Sequence, residues 1–73
     1  MDTRLNRIRD YLIETELFGK YNPRHILAWM YSENNTLNNL TQIEFTNEIK
    51  LACKTISIAG IEFSEDLAQT FGI

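Results

Sequence analysis

Residues Leu40 to Ile61 carry start and stop signals for a single helix, and no other part of the chain restricts the fold as strongly. Thr41 and Glu44 have the spacing of a capping box, in which the hydroxyl accepts from the Glu44 N–H and the carboxylate accepts from the Thr41 N–H. Leu40 and Phe45 occupy the flanking positions of a hydrophobic staple. At the far end Gly60 suits a left-handed close, with Ile61 folding back onto Ile56 as in a Schellman motif. A helix from Gln42 to Ala59 follows, with Phe45, Ile49, Ala52, Cys53 and Ile56 on its core stripe. The sequence Ile56-Ser57-Ile58-Ala59-Gly60-Ile61-Glu62-Phe63 partly alternates, so a small hairpin is the competing reading there.

The other elements are helical too. The first helix is expected from Thr3 to Phe18, capped by Asp2 or Thr3 and ended by Gly19. Leu5, Ile8, Leu12 and Ile13 form its apolar face, which Leu17 extends, and Arg7 is spaced to pair with Asp10. The second runs from Pro23 to Glu33. Asn22 caps it, Pro23 suits its first position, and Asn34-Asn35 end it. Ile26, Leu27 and Met30 make its stripe. Thr36 to Leu40 connect, with Leu37 and Leu40 turned inward. A short fourth helix is expected from Glu65 to Phe71, capped by Ser64, with Leu67, Ala68 and Phe71 inward and Gly72 as its stop. The fold class is therefore all-α: one domain over residues 1–73, a small bundle of four helices in orthogonal or antiparallel packing around Leu12, Ile26, Leu27, Phe45, Ile49, Ile56 and Phe71.

A chain of 73 residues buries only about 60% of the surface that its unfolded form exposes. A partner or a second copy would add burial. The only cysteine, Cys53, has no internal disulfide partner and makes no zinc site, which fits a reducing, cytoplasmic compartment. On the core stripe it is a small buried residue. No apolar run reaches the length of a membrane span, and the N-terminal residues lack a signal-peptide core. Nine isoleucines and seven asparagines against four alanines suit AT-rich codons, as in a low-GC bacterium, a phage or a plasmid.

The charge is uneven. Residues 1–31 carry five basic and four acidic side chains, residues 32–73 two basic and six acidic, giving +1 and −4. A polyanion would have to be met by the N-terminal third. One histidine, one cysteine and no glycine-rich loop leave no catalytic constellation, no cofactor site and no metal site. His25 reads as a surface or neutral histidine. Glu44 and Glu48 read as a solvated edge.

Seven residues remain as a candidate binding set. Arg4, Arg7 and Arg9 sit near the start of the first helix, where the dipole disfavours cations. They suit an acidic protein surface or a phosphate backbone. Tyr21, Arg24, Trp29 and Tyr31 have the makeup of an interface hot spot, because Trp29 falls beside the stripe of Ile26, Leu27 and Met30. The expected activity is regulation by binding another protein, as a phage or mobile-element inhibitor, antirepressor or adaptor would. The alternatives are a dimeric DNA-binding regulator with arginines on phosphates, and a structural homo-oligomer.

The segment Ser64-Glu65-Asp66-Leu67-Ala68-Gln69-Thr70-Phe71-Gly72-Ile73 resembles the first helix and turn of a helix-turn-helix DNA-binding motif. The resemblance covers ten residues and implies a following recognition helix, which the sequence does not supply. Arg24, Leu27, Ala28, Trp29, Leu37, Asn38 and Thr41 share scattered positions with the toxin-binding domain of certain antitoxins. Gln42 stands where that family carries proline, and no membership follows.

Overall fold

A computed structural model of the chain describes residues 3–33 and 39–73. Four helices follow one another: α1 (Thr3–Glu14), α2 (Pro23–Glu33), α3 (Gln42–Ala59) and α4 (Ile61–Thr70). The all-α expectation holds. Leu37, the Asp2 cap and the Asn34-Asn35 stop lie outside the described residues.

α3 starts as its sequence requires. The Glu44 N–H donates to Thr41 Oγ1 at 3.1 Å, and the Thr41 N–H donates to Glu44 Oε1 at 2.9 Å. These bonds hold the Glu44 carboxyl below its ordinary value, because they favour the charged form. α2 starts as expected too, with the Arg24 N–H donating to Asn22 Oδ1 at 2.9 Å.

α1 ends four residues earlier than its composition suggests. Glu16 takes a positive φ of 61°. The Leu17 N–H reaches Leu12 O and the Glu16 N–H reaches Ile13 O, the bond pair of a Schellman close. Helical geometry explains the early stop. At roughly 3.6 residues per turn, Leu17 on a continued helix would face away from Ile8; the turn instead packs it against the core. The same geometry sets Ile13 well round from Ile8, and Ile13 is exposed rather than part of the inner face.

The α3–α4 junction also differs from expectation. Gly60 closes α3 with its N–H on Ile56 O, but its φ of 96° and ψ of 160° are not left-handed helical. This region is essentially open to glycine alone. It lets one residue end α3 and cap α4, so neither the Schellman close nor the hairpin forms. Because α4 begins at Ile61, Ser64 lies inside it and caps nothing. The left-handed stop predicted for Gly72 is present: φ is 71°, with Gly72 N–H on Gln69 O and Ile73 N–H on Ala68 O.

The core comprises Ile8 and Leu12 of α1, Ile26, Leu27 and Met30 of α2, and Phe45, Ile49, Ala52, Cys53 and Ile56 of α3. Phe71 does not join it. It is 44% exposed and lies against the Tyr31 ring, with centroids 6.0 Å apart. α4 packs chiefly on α2. The contact is close because Ala28, Ser64 and Ala68, all small, are fully buried there.

Candidate protein-docking surface

All but one of the arginines and aromatics singled out from the sequence contact other elements of the fold. Arg24 Nη1 and Nη2 lie 3.3 and 3.4 Å from the two Glu65 oxygens. Its Nε and Nη2 donate to the main-chain oxygen of Ile73 at 3.1 and 2.9 Å. His25, far from being a surface residue, is 6% exposed and its Nε2 is 2.8 Å from Glu65 Oε2. That bond, ahead of the bonds from Arg24 and Gln69, holds the Glu65 carboxyl below its ordinary value.

Trp29 Nε1 donates to Ser64 Oγ at 2.9 Å, and the Trp29 ring stacks on Phe63 with centroids 5.7 Å apart. The Tyr31 hydroxyl accepts from Arg4 Nη1. Arg24, His25, Trp29 and Tyr31 thus clamp α4 and the C-terminal residues onto α2. Tyr21 Oη is 2.9 Å from Ser57 Oγ, tying the α1–α2 turn to α3.

Arg7 does not pair with Asp10. Its guanidinium carbon lies 3.9 Å from the centre of the Phe45 ring, and Nη2 donates to Gln42 Oε1 at 2.9 Å. Asp10 is 3.8 Å from Arg9 instead. Arg9 is the member of the seven that stays well out in solvent.

A different surface is left uncovered. Ile43 is 75% exposed, Leu51 56% and Ile58 89%. With Asn47 and Lys54, both exposed, they fall within an arc of about 80° along α3. The buried set of Phe45, Ile49, Ala52, Cys53 and Ile56 lies roughly opposite. α3 therefore carries, besides its core stripe, three exposed aliphatic side chains on its solvent side, spaced by Asn47 and Lys54. Glu44 and Glu48 edge the outer stripe on one flank and Lys50 on the other.

Two open grooves lie near α3, the first of them sharing Leu51 with this stripe. One, of about 410 Å³, runs between α2 and α3, with Trp29, Met30, Leu51 and Ala52 below and Glu33 and Glu48 at its rim. The other, of about 940 Å³, crosses the α3–α4 corner between Tyr21, Ile56, Ile61 and Phe63. The signal for this surface is present in the sequence, since Ile43, Leu51 and Ile58 share a helical register distinct from the core stripe.

Cys53 is buried, and burial pushes its thiol up from the ordinary value. Among the described residues, no cluster of three or more His, Cys, Asp or Glu side chains is placed to hold a metal ion, and no helix is long and apolar enough to cross a membrane. No protein-family model, no curated protein and no solved structure matches the chain.

Proposed function

We propose that this is a regulatory domain that acts by binding another protein, and that it docks through the outer face of α3. One observation carries the reading: three exposed aliphatic side chains, Ile43, Leu51 and Ile58, stand in solvent on the face of α3 opposite the core stripe. A surface helix of a globular domain ordinarily has one apolar face. Large apolar side chains exposed together on one face mark an interaction site; here three aliphatic side chains alternate with Asn47 and Lys54. The mechanism is occlusion, with Ile43, Leu51 and Ile58 as anchors that cover a working surface of the partner.

The contact proposed here centres on α3 rather than on the seven residues drawn from the sequence, of which Trp29 also lines the α2–α3 groove. Arg24, Trp29 and Tyr31 are engaged with α4 and the C-terminal residues, Arg7 with Phe45, and Tyr21 with Ser57. Of the three arginines suited to phosphates, Arg4 is engaged with Tyr31 and Arg7 with Phe45, while Arg9 stands in solvent beside Asp10.

A photo-crosslinking side chain placed at position 58 in the native cell tests the reading. It is expected to trap one protein reproducibly, with no such product from position 14 on α1. Equal crosslinking from both positions, or none from position 58, contradicts it.

A further inference from the structure

We infer that the occupant of the α2–α3 groove is a basic amphipathic helix of a different protein. This rests on the docking reading above and adds the partner's chemistry. The groove is lined by the apolar side chains of Trp29, Met30, Leu51 and Ala52, with Thr55 among them. Its charged lining residues are both acidic: Glu33, at the end of α2, and Glu48, at the middle of α3. Two helices with a shallow, partly apolar channel between them are the receptor side of helix-in-groove recognition, in which aliphatic anchors fill the apolar part of the channel. Lysine or arginine beside those anchors would meet Glu33 and Glu48. The same carboxylates repel nucleic acid and anionic lipid.

A second copy of this chain fits worse. In a twofold antiparallel pairing of α3 on α3, like flanks face each other. The midpoint of Ile43 and Ile58 falls beside Lys50, so the two Lys50 ammonium groups would meet near the dyad. Size also disfavours it. An 18-residue helix about 27 Å long offers a strip of roughly 300 Å², against about 800 Å² per partner in a standard interface. A groove-seated helix would touch α2 and α3 together and would oppose charge with charge.

The test is a fluorescence titration of the full chain, using the emission of Trp29 in the groove floor. The probes are two synthetic helical peptides of equal length, one of leucine and lysine, the other of leucine and glutamate. The leucine–lysine peptide is expected to bind and to change the emission. Glu48→Lys is expected to weaken it about ten-fold or more, and Leu51→Asp to abolish it. Glu14→Lys, the same charge change on α1, is expected to leave affinity within about two-fold. Circular dichroism confirms that each variant folds.

Equal weakening by Glu14→Lys and Glu48→Lys overturns the inference, because it reports bulk charge attraction. Binding of both peptides, each dependent on Leu51, overturns the basic partner and leaves the docking face standing. Binding of neither at Leu51 removes the docking face as well.

Discussion

Trp29 and Ser64 share a hydrogen bond that joins α2 to α4. The indole N–H donates to Ser64 Oγ at 2.9 Å, and the same hydroxyl donates to Gly60 O at 2.9 Å. Ser64 is fully buried. Ser64→Ala leaves the indole N–H without its partner in a closed interface, a loss of about 1–3 kcal/mol. Urea unfolding measures it. A loss confined to a few tenths of a kcal/mol would show that water replaces the hydroxyl.

The carboxyl of Glu65 gives the fold a pH dependence. His25 and Arg24 hold it below its ordinary value of 4.5, so the folded state binds its proton less readily than the unfolded state. Its contribution is complete above 4.5 and is lost as pH falls through the depressed folded value. Glu44 acts in the same direction at the α3 cap. Urea midpoints are expected to be lower at about pH 3 than at about pH 6 in the wild type, and to differ less in Glu65→Gln. An equal acid loss in both would remove Glu65 from this role.

Glu16 sits in the left-handed position that closes α1, at φ 61°. An L-residue there carries a steric cost that glycine avoids. Glu16→Gly is expected to stabilise the protein by about 1 kcal/mol, read as a higher melting temperature. A lower one would mean that the Glu16 side chain contributes more than its backbone costs.

Most of the architecture was legible in the sequence because its signals are local. The Thr41–Glu44 box, the Asn22 cap and the Gly72 stop depend on neighbours a few residues apart, and all three form. The misreadings arose where tertiary packing decides. Phe18 and Gly19 offered a plausible helix end, but Leu17 reaches the core only if the helix breaks first. Ser64 has the right chemistry for a cap, yet the α2 surface needs a small residue facing Trp29. Gly60 was identified as a terminator, but its conformation depends on where α4 must go.

The candidate site was less legible. A tryptophan beside arginines resembles an interface, and composition does not reveal that Ser64, Glu65 and Ile73 already engage them. Ile43, Leu51 and Ile58 were readable from their register alone, because they share one helical face and that face is not the core face.

The central claim is that the fold does not need the outer stripe of α3. Urea unfolding of the triple variant Ile43→Gln, Leu51→Gln, Ile58→Gln tests it directly. Surface substitutions of this kind change stability by about 0.5 kcal/mol or less each, so the variant is expected to unfold within roughly 1.5 kcal/mol of the wild type. A loss of about 3 kcal/mol or more, the cost of one truncation in the core, would place the stripe inside the folded structure and contradict the account.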